Sequence, residues 1–192
     1  MDSVRTRYFS KLKYGDPRGF LRKLSGVEVD VSLSDTPRPI KNLRSNKLKS
    51  SRERRDAALF CVGMSELINR EVYFAPTEDQ DFDFVSTWFE DDTQIYCPVQ
   101  LKEVVPGHLN KRASVQETID RLTRYADSRD VTVALKLNRI VRFDPTKLVV
   151  PGGLSIGGLW VFGSVVPNQS KWSLWGDFLT PKIDVLSFDY PR

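Results

Sequence analysis

The sequence predicts an α/β protein of the α+β type, with an α-β-β-β-α-β core over residues 51–137 and a β-rich C-terminal addition over 138–192. Three observations predict this class. Apolar residues recur at helical spacing in two segments, they alternate at strand spacing in several others, and clusters of turn residues separate the segments. With 192 residues, 40% of them hydrophobic, the chain is long enough to bury a core of its own.

The charge of the chain is distributed unevenly. Residues 1–55 carry 15 Lys and Arg against 6 Asp and Glu, whereas residues 56–192 carry 14 against 19. A basic segment attached to an acidic body is typical of proteins that bind polyanions, although a solvated surface can have the same composition. We therefore expect a basic N-terminal extension, residues 1–50, followed by one folded domain, residues 51–192.

The extension contains three weaker signals. Basic and apolar residues over 5–23 predict one or two short helices, broken at the Gly-Asp-Pro of residues 15–17. Apolar and polar residues alternate over 27–33, which predicts a strand. Residues 41–52 are rich in Lys, Arg, Ser and Asn and predict an exposed basic linker.

The core begins with a helix near Ser51. Glu53 lies in its first turn, where the helix dipole favours a carboxylate. Apolar residues at helical spacing make one buried face, and Asn69 and Arg70 close the helix. These apolar residues are Ala57, Phe60, Cys61, Met64, Leu67 and Ile68.

Strands and a second helix follow. The core strands are predicted over 71–75, 81–89, 95–102 and 131–137, and the second helix over 113–128. The β-rich addition has candidate strands over 140–143, 147–150, 159–166 and 172–175.

The second and third strands predict a hairpin with a defined register. If residues 91–92 form the loop, Asp83 lies opposite Gln100 and Asp81 lies opposite Lys102. These four polar side chains then share one face, because alternate residues of a strand and residues directly opposite each other lie on the same side of a sheet. A slip of one residue would move every side chain to the other face. The opposite face is apolar and consists of Phe82, Phe84, Trp88, Ile95, Cys97, Val99 and Leu101.

The first helix brings another carboxylate to this cluster. A helix packed antiparallel on strand 71–75 starts near the end of that strand, and in a meander this end neighbours the start of the next strand. Glu53 is therefore expected near Asp83, and Asp56, one turn further along, is the backup.

Glu53, Asp83 and the Gln100-Leu101-Lys102 run, taken with the element order, resemble the PD-(D/E)XK nuclease superfamily in its Q-x-K variant, of the Mrr-like, restriction-endonuclease-like type. The resemblance covers residues 51–137 and implies a restriction-endonuclease-like core with a mixed central sheet. It also implies a DNA endonuclease that hydrolyses phosphodiester bonds with Mg²⁺, for which Mn²⁺ can substitute. Two positions depart from the superfamily pattern: Phe82 stands where the motif has Pro, and Gln100 where an acid is commoner.

The resemblance also implies roles for these residues. Asp83, Glu53, the Gln100 amide oxygen and the Leu101 backbone carbonyl would bind the metal. Lys102 would orient the attacking water and stabilise the transition state. Asp81, on the same face, is a backup ligand.

The expected partner is nucleic acid, in particular DNA. The candidate contacts lie in the basic linker and on the second helix, which often lines the DNA in this superfamily. They are Lys41, Arg44, Lys47, Lys49, Arg121 and Arg124, with Gln116 beside the last two. Since many such nucleases cut both strands as dimers, the resemblance allows a homodimer.

Alternative interpretations remain open at this stage. Asp83, Gln100 and Lys102 can be polar residues on a solvated sheet face, and Glu53 can simply be a favourable N-terminal helix residue. A second functional hypothesis is a catalytically inactive nuclease-fold protein that binds nucleic acid, or a protein partner in a defence or mobile-element system.

Other sequence features favour structural roles. His108 is interpreted as a surface loop residue. Because it is the only histidine in the sequence, a zinc site with several His ligands is excluded. The Gly-rich run 152–158 is interpreted as a turn because it lacks the Gly-Lys-Ser/Thr of a phosphate-binding loop. Trp160, Trp172 and Trp175 are interpreted as packing residues rather than base-stacking platforms.

The expected setting is cytoplasmic. The N-terminus has no apolar segment of the secretory type, and the longest apolar stretch, 154–166, is too short and too rich in Gly to cross a bilayer. Cys61 and Cys97 lie inside apolar runs, which is typical of reduced thiols. We therefore expect no membrane partner.

Overall fold

The computed structural model describes residues 3–32, 49–124, 128–139 and 142–192, and these form an α+β fold with a mixed sheet. The helices are α1 (Ser3–Phe9), α2 (Pro17–Ser32), α3 (Lys49–Ile68) and α4 (Val115–Asp120). Two 3₁₀ turns cover Arg121–Arg124 and Pro145–Lys147. The strands are β1 (Tyr73–Pro76), β2 (Phe84–Glu90), β3 (Thr93–Val104), β4 (Ser128–Leu137), β5 (Ile156–Ser164), β6 (Lys171–Gly176) and β7 (Asp184–Asp189).

The strands follow one another in the sheet in chain order, from β1 to β7. The meander β1–β2–β3 is antiparallel, β3, β4 and β5 are parallel, and β5–β6–β7 is antiparallel again. Because α4 connects the parallel strands β3 and β4, the order α3-β1-β2-β3-α4-β4 is the α-β-β-β-α-β order that the sequence predicts.

The predicted hairpin register is confirmed over Phe84–Glu90, but the predicted pairs Asp83–Gln100 and Asp81–Lys102 are not part of the ladder. Phe84 pairs with Val99, and each further pair up to Glu90 and Thr93 follows in step. The loop is therefore residues 91–92, and Asp91 adopts a positive φ of 51°, which Asp tolerates better than most residues. A two-residue loop fixes which side chains of β2 and β3 share a face.

Helices α3 and α4 cover opposite faces of the sheet. Phe60 of α3 packs on Phe84 and Phe162 of one face. Ile119 of α4 packs with Val133 and other alternate residues of the opposite face. Among the described helices, none combines the length and apolar composition that crossing a bilayer requires.

The N-terminal segment packs onto the same sheet. Phe9 at the end of α1 is fully buried against Phe82 and Tyr96, on the α4 side. Leu21 of α2 is fully buried with the α3 cluster. The described part of the basic extension, 3–32, therefore contributes to the core of the domain instead of standing apart from it.

The strand predicted over 27–33 is wrong, because residues up to Ser32 continue α2 and Leu33 lies outside the described residues. The helix has a strong start: Asp16 accepts hydrogen bonds from the backbone N–H groups of Arg18 and Gly19, at 2.9 and 2.8 Å, and Pro17 occupies the first helical position. This start outweighs the β propensity of the three valines that follow it.

Three predictions in the C-terminal half also need correction. The second helix ends at Asp120, passes into a 3₁₀ turn, and gives way to β4 at Ser128. Residues 147–150 form no strand; neither do Arg142 and Phe143, while residues 140–141 lie outside the described residues. The strands near 159–166 and 172–175 are present as β5 and β6, and β7 was not predicted.

The two thiols are expected to resist modification in the folded protein. Burial raises the pKa of Cys61 well above its ordinary value, and burial also raises the pKa of Cys97. Because the thiolate is the reactive form, labelling at pH 8 should be slow for the native chain and complete in denaturant. Rapid labelling of Cys61 in the native protein, followed with a chromogenic thiol reagent, would contradict the packing of α3.

Candidate metal and phosphodiester site

The chain changes direction at Asp83, immediately before β2. Phe82 packs with Phe9 on the α4 side of the sheet, whereas Phe84 packs on the α3 side. In an extended strand these two residues would share a face, so the backbone at Asp83 is not extended as a strand is. The expectation that Phe82 belongs to the apolar face of Phe84 is therefore wrong.

This turn places the Asp83 carboxylate against the backbone of β3. Its Oδ2 accepts a hydrogen bond from the Leu101 N–H at 2.6 Å. The Asp83 N–H donates to the Val99 carbonyl at 2.9 Å, and its carbonyl accepts from the Thr77 N–H at 3.1 Å. The carboxylate takes the place of a backbone acceptor just where β2 stops pairing with β3. One hydrogen bond to the carboxylate and two to the backbone hold Asp83 there.

Gln100 precedes Leu101 and carries an amide oxygen without a partner. Its Oε1 is buried, and no hydrogen bond reaches it from the described residues. A buried acceptor without a donor is unfavourable. The side chain therefore offers a neutral oxygen ligand close along β3 to the residue that holds Asp83.

Glu53 and Asp83 line one cavity of about 290 Å³ between α3 and the start of β2. Leu101 and Phe84 form part of its wall, and Glu78, which the sequence analysis did not single out, adds another carboxylate. Glu53 and Asp83 therefore border the same cavity, which is compatible with the expected proximity of the two carboxylates. Glu53 lies in the second turn of α3 instead of the first, because the helix begins at Lys49.

Gln100 and Lys102 do not line this cavity. Val99 and Leu101 pack with the α3 cluster, so strand alternation directs Gln100 and Lys102 to the α4 side. These two share a face, as expected, but Asp83 has left that face because of the turn in the chain. We call the place where the Asp83 carboxylate contacts the Leu101 backbone the notch. Glu53 and Asp83 lie on its α3 side and Gln100 and Lys102 on its α4 side, so the expected convergence of these side chains on one face is not observed.

The two backup carboxylates have other contacts. Asp81 is exposed and contacts Arg5 at 3.5 Å, and because it lies outside β2 it is not the strand partner of Lys102. Asp56 is buried and accepts a hydrogen bond from Nζ of Lys136 on β4 at 2.5 Å. Its carboxylate joins α3 to the sheet, and the expectation that it replaces Glu53 as a ligand is not supported.

The buried Asp56–Lys136 pair is the principal feature that the sequence analysis missed. Lys136 is 5% exposed, and burial lowers its pKa, while the Asp56 carboxylate opposes that shift. Beside it, Glu103 on β3 accepts a hydrogen bond from Asn138 at 2.5 Å. The available signal was a lysine inside the run 131–137, whose other residues are apolar except for Thr132.

The candidate nucleic-acid contacts are only partly placed. Lys41, Arg44 and Lys47 lie outside the described residues, as do the side chains of Lys49 and Arg124. Arg121 is exposed and pairs with Glu117 at 2.5 Å. Gln116 exchanges two hydrogen bonds with the Val149 backbone and so has a structural role.

Three features interpreted as structural have the expected placement. His108 is exposed in the turn after β3, and Gly153 has the positive φ, 81°, of a turn residue. Trp172 is buried in the core.

In the part of the chain that the structure describes, no group of three or more His, Cys, Asp or Glu side chains is placed to hold a metal ion. A metal at the notch would therefore need amide or backbone carbonyl oxygens as ligands in addition to carboxylates. Comparisons of the chain with protein-family models, with curated proteins and with solved structures found no match.

Proposed function

We propose that the protein is a divalent-cation-dependent phosphodiesterase that cleaves DNA, with its site at the notch between β2 and β3. The observation that carries the proposal is the hydrogen bond from the Leu101 N–H to the Asp83 carboxylate. It fixes the Asp83 carboxylate on the backbone of Leu101, the residue between Gln100 and Lys102 in the Q-x-K run. The antiparallel meander, the parallel β4 and the helices on opposite faces are consistent with a restriction-endonuclease-like core.

The residues at the notch fit Mg²⁺ or Mn²⁺. Hard cations prefer carboxylate, amide and carbonyl oxygens, and this set offers Asp83, Glu53, the Gln100 amide and the Leu101 carbonyl. Asp83 and Glu53 line one cavity, whereas the buried, unpartnered Oε1 of Gln100 lies on the other side of the sheet and would have to turn towards them to complete the set.

A bound cation would lower the pKa of a water molecule and neutralise charge on the phosphate. Asp83 is positioned for metal binding before substrate arrives, because its backbone and carboxylate are already hydrogen-bonded. The Lys102 ammonium group would stabilise the negative charge that develops on the phosphorus oxygens as water attacks and the P–O ester bond breaks. Glu53 would add a second carboxylate on the α3 side, in the cavity that Asp83 lines.

The affinity of the site for Mn²⁺ is expected to depend on the charge at position 100. Gln100→Glu supplies the acid that is commoner in the superfamily and should tighten Mn²⁺ binding by about tenfold, whereas Gln100→Leu should weaken it by a similar factor. Isothermal titration calorimetry measures both. Gln94→Glu and Gln94→Leu, on the same strand but near the hairpin loop, are the matched controls and should leave Mn²⁺ affinity unchanged.

A second function, binding of nucleic acid or a protein partner without cleavage, is favoured by one observation. Gln100 and Lys102 lie outside the cavity that Glu53 and Asp83 line. The calorimetric experiment separates the two functions. If the wild-type protein does not bind Mn²⁺ but binds DNA with an affinity that falls with salt, its function is DNA binding without cleavage. If it binds neither Mn²⁺ nor DNA, a protein partner is favoured.

A further inference from the structure

A second cavity, of about 700 Å³, lies at the carboxyl ends of the parallel strands. Its wall is formed by residues 106–108 after β3, 136–139 at the end of β4, and 164–167 after β5. Ligands of open sheets with parallel strands bind most often at this edge. The cavity shares no residue with the one at Asp83. Leu101 lies about 10 Å from Val104, the last residue of β3, at the usual rise per residue, and Pro106 is two residues further on.

The described lining of this cavity contains cations and no Asp or Glu. Lys136 is paired with Asp56, but Arg139 is only partly satisfied. A terminal nitrogen of its guanidinium donates to the Ala113 carbonyl, whereas its buried Nε has no hydrogen-bond partner among the described residues. A buried N–H of a guanidinium requires an acceptor, and phosphate oxygens match its planar geometry.

Aromatic rings form another part of the wall. Phe143 and Trp175 pack edge to face, with their centroids 4.8 Å apart and their planes at 68°. Both rings are half-buried, so each keeps some accessible surface. Flat ring surfaces beside a cation are typical of sites for nucleobases, and the volume lies in the range of small-molecule pockets.

We propose that this cavity binds a nucleotide, with its phosphate on Arg139 and its base against Trp175 and Phe143. The proposal does not rest on phosphodiesterase activity, because no residue of the Asp83 notch takes part. A free nucleotide and the terminal nucleotide of a single strand present the same base, sugar and phosphate, and the probes below distinguish them.

Isothermal titration calorimetry in EDTA tests the site with adenosine monophosphate, inorganic phosphate and a 5′-phosphorylated single-stranded 10-mer. We expect adenosine monophosphate to bind about tenfold or more tightly than phosphate, because stacking adds to the charge interaction. Arg139→Gln should weaken it by about tenfold or more. Arg142→Gln removes the same charge from an exposed residue that lines only the neighbouring cavity, and should have little effect.

Phe143→Leu keeps the apolar volume and carries the test if Arg139→Gln does not fold, as judged by circular dichroism. It should weaken adenosine monophosphate and leave phosphate affinity unchanged. If the 10-mer binds at least tenfold more tightly than adenosine monophosphate, the site is assigned to a strand end. If it binds equally or more weakly, the site is assigned to a free nucleotide. The proposal is overturned if neither nucleotide probe binds, or if phosphate binds as tightly as adenosine monophosphate. It is also overturned if Arg139→Gln and Arg142→Gln lose equal affinity for adenosine monophosphate, or if Phe143→Leu binds it as tightly as the wild-type protein.

Discussion

Asp83→Asn is expected to reduce Mg²⁺-dependent DNA cleavage by at least about 100-fold while leaving the fold intact. Asparagine keeps an oxygen that can accept the hydrogen bond from the Leu101 N–H, so the turn before β2 should persist. It loses the negative charge that a divalent cation requires. Initial rates on a supercoiled plasmid, with circular dichroism as the folding check, measure both effects.

Asp81→Asn is the matched control for this change. Asp81 lies two residues away, is exposed, and contacts Arg5 at 3.5 Å, an arrangement that contributes little energy. Its substitution should alter the rate by less than about twofold. Undiminished cleavage by Asp83→Asn, or an equal loss in both variants, would remove Asp83 from the proposed site.

Lys136→Met is expected to lower the free energy of unfolding by about 3–5 kcal/mol. The substitution leaves the Asp56 carboxylate buried between α3 and β4 without its cation. The exposed pair of Arg18 and Glu66 has the same 2.5 Å distance, and Arg18→Gln should cost less than about 1 kcal/mol because water solvates the remaining charge. Urea unfolding curves compare the two pairs directly.

The double variant Asp56→Leu/Lys136→Met tests whether the uncompensated charge is the cause. Replacing both partners by apolar side chains should restore the free energy of unfolding to within roughly 1 kcal/mol of wild type, or raise it further. A double variant as unstable as Lys136→Met would show instead that volume and packing dominate at this position.

The hairpin was predictable from the sequence because local rules determine it. A two-residue loop at 91–92 and strict alternation on both sides leave one register, and the structure has that register. The same rule failed over residues 81–83, where the Asp83 side chain bonds to the Leu101 backbone and the chain leaves strand geometry. The sequence shows an aspartate there but not that the chain turns.

Other errors arose where tertiary contacts decide the outcome. The strand predicted over 27–33 is helical because Asp16 and Pro17 start a helix that continues through it. Asp56 was assigned as a reserve ligand because it lies one turn from Glu53, yet its partner is Lys136, 80 residues away on β4. Pairing between a helix and a distant strand leaves no local pattern that identifies it.

A crystal structure of the protein grown with Mn²⁺ tests the central claim most directly. We expect an anomalous peak at the notch, about 2.0–2.6 Å from a carboxylate oxygen of Asp83 and from Oε1 of Gln100, the usual range for hard cations and oxygen. A notch without such a peak at saturating Mn²⁺, with the Gln100 side chain still buried on the α4 side of the sheet, would contradict the account.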